Sequence, residues 1–198
     1  MKSFYRHAAV LAIVGVAACA DAGESDQEAG TDTAAAVAPA QTPAQTSGAV
    51  SDAQIVHIAK TANDADIEGG NLANSKSQNA DVKSFANLMI SDHTAANQAG
   101  AQAAQAAGIS AEDNPTSQQL MADHQAAAQR LQSLSGAEFD KAYIGHEVDM
   151  HQKVLAALDQ TLIPNAQNPG LKNVLTQVRA TVEAHLTRAR DIQATLGQ

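Results

Sequence analysis

The 198-residue chain has no tryptophan, one cysteine, five prolines, and only two tyrosines and three phenylalanines. A single cysteine excludes an intramolecular disulfide in any compartment. The scarcity of aromatics and of β-branched alternation argues against sheets, and abundant Ala and Leu favour closely packed helices. Positive charge is also short, with 12 Lys and Arg against 21 Asp and Glu and a formal charge of −9. That balance disfavours nucleic acid or anionic lipid as a partner through bulk charge, and no basic stripe tracks a nucleic acid. There is no Gly-rich phosphate loop, since Gly69-Gly70 falls inside a helical pattern, and no serine sits in a nucleophile elbow. The apolar run Ala8 to Ala18 is too short to cross a bilayer as a helix.

That run is instead the middle of a secretory signal over 1–18, with Lys2 and Arg6 as its basic start. It closes on Val16-Ala17-Ala18-Cys19, which resembles the lipobox of bacterial lipoproteins. The resemblance implies that Cys19 is lipidated, becomes the first mature residue and anchors the chain to a membrane. The alternative is an ordinary cleaved signal followed by a stray cysteine. Loss of Lys2 and Arg6 takes the formal charge from −9 to −11. Ala20 rather than Asp follows the cysteine, which by enteric sorting rules favours a periplasm-facing outer-membrane lipoprotein over retention at the inner membrane. Residues 19–50 are acidic at first and then rich in Ala, Pro, Gln and Thr. They hold too few large apolar residues to offset ordering entropy, so a disordered tether is expected there and an ordered domain over 51–198.

Within that domain the punctuation predicts helices. Ser51 and Gln54 have the spacing of a capping box, opening a helix to about Lys76. Asn79 and Asp81 start a second, which Gly108 stops. A shorter helix covers about 116–134 and is closed by Ser135-Gly136; another runs from Ala137 to about Leu162 and stops before Pro164. Asn168-Pro169 opens the last, which reaches Leu196. The joint between the first two helices is so short that they must pack antiparallel. The expected fold is all-α, an antiparallel four-helix bundle with the extra helix in the crossover between the second and third long helices, which is the ferritin-like variant. Small residues Ala96, Gly100, Ala103 and Ala107 are expected to let neighbouring helices approach closely.

Three of the long helices place a histidine in the row that should face the core. The rows are Val82-Phe85-Met89-His93-Ala96-Gly100-Ala103-Ala107, Ile144-Val148-His151-Leu155-Leu158-Leu162, and Leu171-Val174-Val178-Val182-His185-Ala189-Ile192-Leu196. Steps of three and four keep each row on one face. A buried imidazole needs a partner or a ligand, so these rows predict a metal site or a shared hydrogen-bond layer.

Ferritin-like dinuclear sites take a Glu from each of two helices and a Glu-x-x-His pair from each of the others. Glu68, His93, Glu147, His151 and His185 match that set in part. The pairs themselves are missing, because Ile90 precedes His93 by three and Val182 precedes His185 by three. The set therefore fits a simpler site of two or three His with Glu68 or Glu147, suited to divalent zinc, iron, manganese or copper. The competing reading is neutral histidines hydrogen-bonded to one another or to Glu68. Counted at about 1.5 Å per residue from the turn near Asn165, Glu147 lies closer in height to His185 than His151 does, so one layer or two stays open. Met89, Met121 and Met150 each stand three or four residues from a histidine, a copper-like pairing that core packing explains as well. His124 is expected to pack at an edge, and His57 and His146 to be solvated.

One resemblance covers about 52–196. Glu68-Gly69-Gly70-Asn71-Leu72-Ala73, Val82-Lys83-Ser84-Phe85-Ala86 leading to Asp92-His93, and Ser135-Gly136-Ala137-Glu138-Phe139-Asp140 carry it, with Tyr143-Ile144, His151, Leu171-Lys172 and His185-Leu186. In these the sequence resembles the bacterial domain-of-unknown-function family 4142, whose members are taken to be secreted or outer-membrane ferritin-like bundles. The resemblance implies fold and location more than chemistry. Two functions are thus expected: a non-catalytic envelope lipoprotein acting through partners or in stress tolerance, or a metal-binding or metal-dependent redox protein.

Overall fold

The structure is a computed structural model that describes residues 49–197. The signal sequence, Cys19 and nearly all of the expected tether lie outside the described residues. The described chain is all-helical: α1 (Asp52–Lys76), α2 (Ala80–Ala107), α3 (Pro115–Gln132), α4 (Gly136–Ala157), a short α5 (Ile163–Asn165) and α6 (Pro169–Leu196). Among these residues no helix is long and apolar enough to cross a membrane.

The caps form where the sequence puts them. Ser51 and Gln54 close a capping box, and Asn79 Oδ1 accepts from the Asp81 and Val82 amides at 2.9 and 3.1 Å. Gly108 ends α2 at φ +66°, a left-handed conformation that costs glycine little. Asn168 caps α6 ahead of Pro169. Asp52 does more than open α1. Its carboxylate accepts from the amides of Gln167 and Asn168 at 2.8 and 2.9 Å, fixing the start of α1 to the loop before α6.

Two boundaries differ from expectation. Gly136 does not close α3, which ends at Gln132; it is the first residue of α4, at φ +56°. The helix does not stop before Pro164 either. After Ala157 it widens into a π turn, Leu158–Leu162, in which the Ile163 amide reaches back to the Leu158 carbonyl. Pro164 lacks the N–H that would bond Gln160 in a regular helix, and the wider turn carries the chain past it into α5.

The helices pair as α1 with α2 and α4 with α6. Asn74–Asn87 and Asn63–Asn97 side-chain bonds run in opposite order along α1 and α2, so that pair is antiparallel. They approach closely at Gly70, where a Cβ would stand 2.8 Å from the Ala86 carbonyl oxygen. At Gly100, among the small residues late in α2, a Cβ would meet nothing within 4 Å. Two apolar clusters fill the bundle. One holds Phe85, Met89, Phe139, Tyr143, Ile144 and Leu186, the other Ile55, Ile58, Leu158, Leu162, Leu171 and Leu175.

Candidate metal centre

Between these two clusters lies a polar layer. On α1 it is Asp66, between Ile58 and Ala73; on α4 it is Glu147 and His151, between Ile144 and Leu158; on α6 it is His185, between Val182 and Leu186; on α2 it is His93, one turn beyond Met89. None of the five is more than 4 % exposed, so their polar atoms depend on partners inside the protein.

The three imidazoles meet. Ring centroids are 5.8 Å apart for His93 and His151, 5.2 Å for His93 and His185, and 5.5 Å for His151 and His185. Two overlapping sets, His93 with His151 and His185, and Asp66 with Glu147 and His151, each bring one ligand atom per residue to within 4.8 Å of the others.

The hydrogen bonds around the layer fix each ring's tautomer. His93 Nδ1 lies 2.9 Å from Asn63 Oδ1, and His151 Nδ1 lies 2.9 Å from the Glu147 carbonyl. An amide or carbonyl oxygen only accepts, so both rings donate from Nδ1 and carry their lone pair on Nε2. His185 donates from Nε2 to Asp92 Oδ2 at 3.1 Å, leaving its lone pair on Nδ1. Those three lone-pair nitrogens, His93 Nε2, His151 Nε2 and His185 Nδ1, have no hydrogen-bond partner, and neither has Glu147 Oε2. Outer bonds of this kind orient ligating histidines in metal sites. Asn63 is itself held, donating to Asn97 Oδ1 at 3.0 Å, while Asn97 donates to Asp64 at 2.8 Å.

The carboxylates stand against the same rings. Asp66 Oδ2 is 3.4 Å from His93 Nε2, and Glu147 Oε2 is 3.5 Å from His151 Nδ1. Two donors each about 2.1 Å from a tetrahedral ion are about 3.4 Å apart, so the Asp66–His93 spacing suits shared ligation. Burial sets the charge state. It raises Asp66 to about 8, partly offset by a hydrogen bond with Glu147. It raises Glu147 well above the carboxyl range, with the charge of Asp66 adding to the effect. Burial lowers His93 to about 3 and His151 to about 4, helped by the neighbouring imidazoles. His185 is lowered by burial as well, against the pull of Asp92. The layer thus holds neutral imidazoles and protonated carboxyls.

Of the residues expected from the sequence, His93, Glu147, His151 and His185 come together and Glu68 does not. Glu68 accepts from His124 Nε2 at 2.7 Å with 70 % of its side chain exposed. It lies two residues past Asp66, about 200° around the helix, on nearly the opposite side. Asp66 takes the inner place. It stands eleven residues after Ile55 and seven before Ala73, on their face. Asp92 does not serve its neighbour His93 but reaches across to His185. Gly69 leaves room for the carboxylate, because a Cβ there would stand 3.3 Å from Glu147 Oε1. Met89 belongs to an apolar cluster and Met121 is exposed on α3. His124 is buried against Glu68, and His57 and His146 are half-buried rather than solvated.

No curated protein and no solved structure matches the sequence. A family described as a domain of unknown function (DUF4142) matches residues 35–192, a span that includes every helix contributing to the polar layer. The chain belongs to that family.

Proposed function

We propose that this protein binds one divalent transition-metal ion in its core, with His93, His151 and His185 as nitrogen ligands and Asp66 and Glu147 as adjoining carboxylates. The observation that carries this reading is the set of three inward lone pairs, each aimed by an outward hydrogen bond and each without a partner. A purely structural polar layer leaves His151 Nε2 and His185 Nδ1 unsatisfied, at about 1–3 kcal/mol each, and gives His93 Nε2 only the Asp66 carboxyl 3.4 Å away. A metal ion satisfies all three and offsets the two buried carboxylates. Three imidazoles with carboxylate oxygens suit zinc or iron(II), and no thioether is needed.

The remaining sequence expectations stand beside this reading as proposals. The bundle is of the ferritin-like kind. Asp92–His185 and Asp81–Arg188 contacts support antiparallel α2 and α6, and Asp159 bonded to Arg179, with Gln193 Nε2 3.8 Å from where a Cβ on Gly145 would stand, supports antiparallel α4 and α6. Together these make α2 and α4 point the same way, which needs a crossover, and α3 occupies that connection. Lipidation at Cys19 and an envelope location facing the periplasm rest on the sequence alone.

Titration of metal-free protein with zinc and iron(II) tests the metal reading. We expect one equivalent to bind, and binding to weaken at least about 100-fold in His151→Ala, which removes a ligand shared by both sets. Binding that is unchanged in His151→Ala, with the variant folded, refutes the assignment.

A further inference from the structure

Beside the polar layer, α1, α3, α4 and α6 enclose a cavity of about 380 Å³. Ile58, Ala62, Leu120, Val154, Leu158 and Val178 supply aliphatic walls, and Asp123, Asp149 and Lys153 give a charged rim. Two residues of the candidate metal centre, Asp66 and His93, line it. The His93 side chain is 4 % exposed, and its Nε2 has no partner. The π turn after α4 contributes Leu158, Thr161 and Leu162 to the wall, a widening of the kind often found beside functional sites. An apolar chamber with a few convergent polar groups at one end is the usual form of a small-molecule site.

We infer that this cavity takes a small molecule with an aliphatic body and a carboxylate head, the head ligating the core metal and the body lying along the apolar walls. The inference rests on the metal reading above. Size and chemistry define the class. At about 30 Å³ per methylene-sized group, 380 Å³ holds roughly a dozen heavy atoms. Water gains little from such walls, whereas each pair of methylenes moved onto them is worth about tenfold in affinity. A carboxylate oxygen is a good ligand for a borderline divalent ion, and three imidazoles leave coordination positions open for it. The charged rim disfavours a second apolar end, so the occupant is a short single-headed chain that fits inside.

Cobalt(II) substitution reads both steps, because its visible spectrum reports each new ligand. The full mature protein is titrated with cobalt(II) and then with octanoate or acetate. The expected result is that octanoate perturbs the cobalt bands at a concentration at least about tenfold lower than acetate. Ala62→Phe fills the cavity without replacing a metal ligand and should reduce that preference to less than about threefold, with the cobalt spectrum alone unchanged. Val154→Phe, on the opposite wall, serves if Ala62→Phe fails to fold. If no cobalt binds, the metal reading fails. If cobalt binds and octanoate is no better than acetate, or its advantage survives both cavity-filling variants, the cavity inference is overturned and the metal reading stands.

Discussion

Asp92→Asn separates a metal centre from a packed polar layer with little change of shape. Asp92 Oδ2 accepts the His185 Nε2 proton at 3.1 Å, which keeps the His185 lone pair on Nδ1 and aimed inward. A hydrogen bond to an ionised acceptor is worth about 1.5–3 kcal/mol, roughly twice a neutral one. Asp92→Asn therefore forfeits about half of that, and because the Asp92 side chain is 36 % exposed solvent screens part of the difference, leaving about 0.5–1 kcal/mol. An asparagine amide can also turn and donate to Nε2, which would move the ring proton to Nδ1 and block the ligand position. Zinc affinity should therefore fall at least about 2- to 5-fold, by competition against a chelator of known strength. The metal-free protein should lose far less, because the exposed side of the bond is replaced by water. Unchanged zinc affinity would refute the orienting role. A loss of metal-free stability as large as the loss of binding energy would show that Asp92 acts on folding instead.

Other perturbations follow from single contacts. Gly70→Ala should destabilise the fold by about 1–3 kcal/mol in denaturant titration, because its Cβ would stand 2.8 Å from the Ala86 carbonyl oxygen, which is backbone and cannot swing away; a neutral result would contradict the close approach of α1 and α2. Glu68→Gln should leave zinc affinity within about twofold, since Glu68 bonds His124 outside the layer; a larger loss would return Glu68 to the ligand set. The pH dependence has two opposed parts. Below about 6.5 the unfolded chain protonates its histidines while His93 and His151, lowered to about 3 and about 4, stay neutral, so stability rises with pH there. Between 6.5 and 8 the folded chain keeps a proton on Asp66 that the unfolded chain has lost, so metal-free stability falls with pH, by about 2 kcal/mol for that group. Bound metal holds the carboxylates ionised and removes the fall. Thermal melts at pH 6.5 and 8, with and without zinc, read the difference; a metal-free protein that gains stability toward pH 8 contradicts the assignment.

What the sequence made legible follows from how local each signal is. Caps are local, so Ser51-Gln54, Asn79, Gly108 and Asn168-Pro169 mark helix ends within a residue or two. The histidine rows are legible because steps of three and four persist around large apolar residues. Asp66 is harder to see. Asp64, Asp66 and Glu68 alternate along an alanine-rich helix with few large apolar neighbours to distinguish its faces. Axial register is a tertiary property. The height count from Asn165 assumed a uniform helix, whereas the π turn at Leu158–Leu162 changes the rise, and Asp52 fixes α1 against the loop before α6. The small residues late in α2 signal space, yet sequence does not say whether a neighbour fills it; at Gly100 none does.

Elemental analysis of the purified protein tests most directly whether the convergent histidines hold a metal ion. About one equivalent of zinc or iron per chain is expected, absent from a folded His93→Ala, His185→Ala double variant. A wild-type protein that arrives metal-free and takes up neither zinc, iron, manganese nor copper at micromolar concentration would contradict it.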